Sequence, residues 1–328
     1  MHKRTLIHNK ELRALPKRSV LISMSDPNVM VGVTSGNPLV VVESASFQYP
    51  RNSLGMMDVS APRSAIRGVS FSLYPGDRVL VVGRNGSGKS TLLSLVAGRH
   101  KASHGRVTVV GADAFEDTKT QRYVTLIGDP WPTEAFFGTT VDQLTSPAPM
   151  QDRKKHIADA LNLNLQESVC HMSTGLKRRV QILHGMLQKS FVYLLDECSV
   201  DVDVAERKTV LELIKEECTS GSGCCLYATH ILDGVGDWAT HMMLMQDGEI
   251  VNIVKMSDIC EPVETFAYRF LSRISQTSEY HSPITTEQSK LNEHMVMRPG
   301  DGASTHSFHQ KGETVVSCNN LKFRDLFD

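Results

Sequence analysis

Long hydrophobic runs are missing from this 328-residue chain. A membrane-crossing helix needs about eighteen or more consecutive apolar residues, and stretches such as Phe191-Val192-Tyr193-Leu194-Leu195 meet a charge within a few positions. No spanning helix is expected. A charge excess of either sign is missing too: with a formal net charge of -1, global electrostatics nominates neither nucleic acid nor an anionic membrane as main partner. The seven cysteines (Cys170, Cys198, Cys218, Cys224, Cys225, Cys260, Cys318) are odd in number and lack any C-x-x-C spacing. This argues against a disulfide framework or a zinc site and for reduced thiols in the cytoplasm or nucleus. The thirteen histidines are dispersed, and no internal repeat is present.

What the chain does have is strongly zoned. Among the first twenty residues, Lys3, Arg4, Lys10, Arg13, Lys17 and Arg18 face a single Glu11, so residues 1–38 read as a disordered basic arm, with a mitochondrial presequence as the alternative. Leu39-Val40-Val41-Val42 and Ser46-Phe47-Gln48-Tyr49 read as strands of a leading strand-rich lobe. From Val79 onward apolar strands alternate with helical segments, the pattern of a parallel sheet covered by helices and hence an α/β class. Residues 131–172 turn helical, with Ile157, Ala160, Leu161 and Leu163 as core candidates. Strands return at Phe191–Leu195 and Cys224–Ala228, continuous apolar runs of the kind buried on both faces. Beyond about residue 273 the composition predicts disorder, relieved by a short docking helix at Leu321–Phe327.

Gly83-Arg84-Asn85-Gly86-Ser87-Gly88-Lys89-Ser90 spells G-x-x-x-x-G-K-[ST], preceded by the strand-like Val79–Val82 and followed by the helix-like Thr91–Val96. Glycines let the backbone wind so that successive N–H groups point at phosphate oxygens, and the helix that starts there adds its positive dipole end. In this setting Lys89 reaches the β/γ-phosphates and the Ser90 hydroxyl ligates Mg²⁺. Further on, Phe191–Leu195 ends in Asp196-Glu197, two carboxylates at the carboxyl edge of the sheet, where ligands of open α/β sheets bind. Asp196 is the candidate Mg²⁺ ligand and Glu197 the candidate base for in-line attack by water. His230, one strand later in Ala228-Thr229-His230, is a candidate γ-phosphate sensor, and Asp203 a helix cap or a cross-interface contact.

The order of these motifs resembles the ABC ATPase family over roughly residues 39–257. The family's Leu-Ser-Gly-Gly-Gln signature corresponds to Met172-Ser173-Thr174-Gly175-Leu176, followed by Lys177-Arg178-Arg179, a basic run expected on the solvated face of its helix. The resemblance implies a P-loop parallel-sheet core, an N-terminal antiparallel β lobe and a helical subdomain of about 131–188. It leaves residues 258–328 as a mostly disordered extension. It also implies that Ser173, Thr174 and Gly175 meet ATP held by the opposite protomer of a head-to-tail homodimer. Tyr49 matches the aromatic on which adenine stacks; a cross-strand core tyrosine is the alternative. Asp129, in Ile127-Gly128-Asp129-Pro130-Trp131, stands where the family carries Gln, so Gln-mediated Mg²⁺ ligation and coupling to a membrane partner are in question, though a carboxylate can itself bind Mg²⁺.

Three segments, Leu194–Val204, Lys177–Gln181 and Leu226–Gly234, are similar to the soluble class I members, and within them to the subfamily associated with the CCR-NOT transcription and mRNA-decay complex. The altered residues Cys198-Ser199 after Glu197 and the altered Gln loop near a Trp are shared with that subfamily. The resemblance thus implies an ATP- and Mg²⁺-dependent, ATP-hydrolysing homodimer in the cytoplasm or nucleus that regulates a partner complex. Two alternatives are the nucleotide-binding subunit of a transporter with separate membrane subunits, and a nucleotide-binding scaffold with negligible turnover.

Overall fold

Hydrophobic periodicity sorts the strands into two sheets of different character. The computed structural model describes residues 36–49, 64–131, 136, 138–146, 151–198, 202–220 and 222–279. In chain order these form β1 (Val40–Gln48), β2 (Ser64–Leu73), β3 (Arg78–Gly83), α1 (Lys89–Val96), β4 (His104–Val109), β5 (Ala112–Asp113), β6 (Val124–Ile127), α2 (Val141–Leu144), α3 (Gln151–Ala160), α4 (Thr174–Met186), β7 (Val192–Asp196), α5 (Val204–Thr219), β8 (Cys224–Ala228), β9 (His241–Gln246), β10 (Glu249–Lys255) and α6 (Val263–Glu279). β1 and β2 bury one face only and pair antiparallel, Val40 opposite Leu73 and Phe47 opposite Ile66. With β4 and β5 they make an antiparallel sheet of order β2-β1-β4-β5. The expected antiparallel lobe is therefore present, but half of its strands come from after α1 rather than from the N-terminal stretch.

The second sheet runs β10-β9-β3-β8-β7-β6 and is parallel except for the β9–β10 hairpin. Its central strands are covered on both sides, which is why β8 reads Cys-Cys-Leu-Tyr-Ala without a polar residue and is buried throughout. The register aligns the carboxyl ends: Val81 lies opposite Ala228, and Ala228 opposite Asp196. The loops leaving β3, β7 and β8 consequently emerge on one edge.

Three expectations need correction. Ile157, Leu161 and Leu163 are buried as expected, but Ala160 is exposed and Ala158 takes the buried position beside them, because 154, 157, 158 and 161 share one helical face and 160 lies off it. β9 and β10 were not anticipated: the β9 run His-Met-Met-Leu-Met-Gln carries flexible side chains in place of the β-branched ones that announce a strand, whereas β10, with Ile250, Val251, Ile253 and Val254, does carry that signal. The stretch beyond residue 257 opens with α6, whose Phe266, Ala267 and Phe270 are buried in the same core cluster as Val235 and Trp238. The basic arm and the Leu321–Phe327 helix lie outside the described residues. Among the described residues, no helix is long and apolar enough to cross a membrane, and Cys170, Cys198, Cys218, Cys224, Cys225 and Cys260 are free thiols.

Candidate functional site

β3 ends at Gly83 and the chain winds through Gly86 (φ 82°) and Gly88 (φ 100°) into α1. A Cβ at Gly88 would lie 2.5 Å from the Ala65 carbonyl oxygen, and one at Gly83 2.5 Å from the Met245 carbonyl oxygen. Glycine is required here both by the left-handed backbone and by the closeness of neighbouring main chain. No side chain caps α1, so its first N–H groups are left to a ligand or solvent. The Lys89 ammonium donates to the carbonyls of Gly83 (2.9 Å) and Arg84 (3.2 Å). Burial lowers the Lys89 pKa, opposed by the charges of Glu197 and Asp196.

At the end of β7, burial raises the Asp196 pKa, a hydrogen bond from Ser90 lowers it, and the charges of Glu197 and Asp129 raise it. Asp196 Oδ1 is buried without a hydrogen-bond partner, as is Ser87 Oγ in the glycine loop. Such orphaned polar atoms are costly unless a ligand completes them. Glu197 follows in the left-handed region (φ 48°), its N–H donating to Ala228 O (2.9 Å). A glutamate in this conformation carries strain of the kind found at functional sites. His230 Nδ1 stands 2.9 Å from Glu197 Oε2, yet out of line for a hydrogen bond, so Oε2 is also left without a hydrogen-bond partner.

These atoms fit a phosphate-bound divalent cation. Among the described residues no three His, Cys, Asp or Glu side chains gather at metal-binding spacing. A cation held by Ser90 and Asp196 would complete its shell from phosphate oxygens and water, the habit of Mg²⁺ rather than of Zn²⁺. Asp129 is exposed, but near enough for its charge to act on Asp196.

Tyr49, just past β1, is 49% exposed, which sets aside the core-tyrosine alternative. Its hydroxyl is 3.1 Å from Thr91 Oγ1 and its ring packs edge-on against Phe47 and His100. Tyr49, Asn85, Lys89, Ser90 and Glu197 line one open cleft of about 880 Å³. Sequence reasoning missed four of its residues, Ser64, Ala65, Arg67 and Asp247. The Arg67 guanidinium donates to the Asp247 carbonyl, and Gly248 N–H to Ser87 O (3.0 Å), so the β9–β10 turn braces the glycine loop. No local signal marks this pair, because 180 residues separate its members.

Ser173, Thr174 and Gly175 lie outside that cleft, with Ser173 and Thr174 exposed at the start of α4. Ser173 caps the helix, accepting from Leu176 N–H (3.3 Å), while Leu176 packs against the core. Asp203 likewise caps α5, accepting from Glu206 N–H (2.9 Å). The basic run does not behave as expected: Arg178 and Arg179 are buried, at 4% and 8% exposure. Arg179 reaches Leu161 O (2.9 Å) and Glu206 (2.6 Å). Arg178 donates to the carbonyls of Gly128, Cys198 (2.9 Å) and Glu197 (3.0 Å), and to Gln181 Oε1 (2.6 Å). The correction has a plain cause: α4 is enclosed on nearly every side, so its arginines turn inward to carbonyls that no backbone partner satisfies.

Residues 66–200 match the family model described as ABC transporter. The chain is 32% identical over 240 residues to ABC transporter I family member 20 of Arabidopsis thaliana, covering 69% of this chain and 72% of that one. It is 33% identical over 194 residues to CCR4-associated factor 16 of Saccharomyces cerevisiae, covering 53% and 67%. A dimeric ATP-binding cassette in a post-hydrolysis state with ADP and phosphate superposes with a TM-score of 0.58 at 17% identity, over 66% of this chain and 98% of that one.

Proposed function

The chain belongs to the ABC ATPase family, and from that membership we propose that it binds and hydrolyses ATP with Mg²⁺ as a head-to-tail homodimer that switches a partner complex. The observation that carries this is the convergence of Lys89, Ser90, Asp196, Glu197 and His230 on one sheet edge, with carboxylate oxygens of both acids unpartnered. In this reading Gly83–Thr91 (Gly83, Arg84, Asn85, Gly86, Ser87, Gly88, Lys89, Ser90, Thr91) hold the phosphates through N–H groups and the Lys89 ammonium. Adenine stacks on Tyr49. Ser90 and Asp196, with Asp129 in reach, hold Mg²⁺, which when bound supplies charge neutralisation across the β- and γ-phosphates.

Glu197 orients a water and takes its proton, and His230 sits beside the carboxylate to contact the γ-phosphate. Ser173, Thr174 and Gly175 complete the site of a second copy, with Asp203 at the same interface; the exposure of Ser173 and Thr174 outside the chain's own cleft supports this reading. The product is motion, closure and reopening of the dimer. The name of the yeast relative associates that protein with CCR4. Together with the class I resemblance, this supports the CCR-NOT complex, in cytoplasm or nucleus, as the regulated partner.

Glu197→Gln is expected to slow phosphate release by ~10²–10⁴, the range for losing a general base, and to leave an ATP-trapped dimer in sedimentation. A variant that stays monomeric with ATP at high protein concentration would refute the dimer. Negligible release by the wild type would favour a scaffold, and stable co-purification with a polytopic membrane protein a transporter subunit.

A further inference from the structure

Arg178 is a full charge buried in the interior, and among the described residues no carboxylate lies within ion-pair distance of it. An apolar side chain of similar size would fill the space at less desolvation cost. Its partners show what the charge is spent on. Nη2 donates to the carbonyl of Glu197, the residue held at φ 48°, and Nε to the carbonyl of Cys198. Nη1 reaches the Gly128 carbonyl and Gln181 Oε1, while Gln181 Nε2 donates to the Asp129 carbonyl (2.8 Å). One side chain on α4 thus grips both the strained peptide that carries Glu197 and the loop that carries Asp129.

We propose that Arg178 is a positioning residue that ties the first turn of α4, Ser173–Gly175, to the backbone of Glu197. What that turn meets on a second copy then sets the readiness of Glu197 in the same chain. This rests on the reading of Glu197 as base and of Ser173–Gly175 as contacts to nucleotide in the partner. Arg178 stands one turn inside the helix, so a tilt or shift of α4 moves its guanidinium bodily. Three charge-assisted hydrogen bonds from a fixed fork, to the carbonyls of Gly128, Glu197 and Cys198, transmit that shift as displacement of main chain rather than of a free side chain. Displacement of about an ångström at a general base costs on the order of 10²-fold in rate.

The test uses the full chain with Arg178→Met. Amide hydrogen exchange, read on peptides covering 127–131 and 196–198 with and without Mg·ATP, should show nucleotide-dependent protection in the wild type. In the variant exchange should be about tenfold faster, the loss of a hydrogen bond to a charged donor, and should no longer respond to nucleotide. The turnover number should fall by about 10–100-fold while affinity for a fluorescent ATP analogue is unchanged. On the Glu197→Gln background Arg178→Met should add no further slowing, because both act through one group. Arg178→Lys, which keeps charge but not the fork, should fall between, and it replaces Arg178→Met should that protein not fold.

Unaltered exchange at 196–198, turnover and affinity lost together, or losses that multiply in the double variant would overturn the proposal. A wild type that releases no phosphate would instead defeat the reading of Glu197 as base, and the exchange measurements would still decide whether Arg178 grips its peptide.

Discussion

His184 lies on α4 six residues beyond Arg178, exposed on one side and with its ring 5.3 Å from Trp131 in an edge-on contact on the other, and the desolvation of that packed side lowers its pKa. A histidine lowered in the folded state binds fewer protons than in the unfolded chain between the two pKa values. Stability therefore rises with pH through that window and is lost as pH falls below the ordinary histidine value. Replacing His184 by Phe should flatten this acid-side decline in a Tm-against-pH series, and an unchanged slope would show that other groups cause it. Within the site, Lys89 and Asp196 are pushed in the directions that a ligand would use. Burial disfavours charge on Lys89 and on Asp196 alike, so phosphate and a cation would each relieve one of them.

Helix starts are the elements on which the candidate site depends most. α1 begins at a glycine with no capping side chain, α4 at Ser173 and α5 at Asp203, each of the last two capped by its own side chain. The contrast is one of hydrogen bonding: a cap satisfies N–H groups of the kind that α1 leaves open. Asp203→Ala should cost about 1 kcal/mol, seen as a Tm lower by about 2–4 °C for a protein of this size. ATP-dependent sedimentation of the same variant shows whether Asp203 also contributes at the interface. A dimer weakened by more than the stability loss supports that second role, and an unchanged dimer confines Asp203 to capping.

At the scale of the whole molecule, the fold continues past the point where the family resemblance ends. Phe266 and Phe270 on α6 are buried in the same core cluster as Val235 and Trp238. Phe270→Ala should therefore destabilise the folded body by about 3–5 kcal/mol, read as a lower urea midpoint at unchanged slope. Wild-type stability would mean that α6 is an appendage. The signal for this helix was in the sequence: Val263, Phe266, Ala267, Phe270 and Leu271 repeat at the three-and-four spacing of a buried helical face. It was hidden by the polar composition that follows.

The glycine loop, the Asp196-Glu197 strand end and His230 were legible because each is a contiguous run whose residue types follow from local geometry. A left-handed Gly88 and an apolar β7 ending in carboxylates can be read from neighbours along the chain. Arg67 with Asp247, and Arg178 with Gly128 and Glu197, could not be. Their partners are brought together only by sheet order and by the enclosure of α4. A guanidinium is expected in water until the fold supplies oxygens enough to bury it. The sequence by itself determined the α/β alternation, the family and the residue types gathered at the sheet edge, since these rest on spacing and local conformational preference. Only the tertiary structure decided which polar groups turn inward, because burial of charge depends on partners distant in the chain.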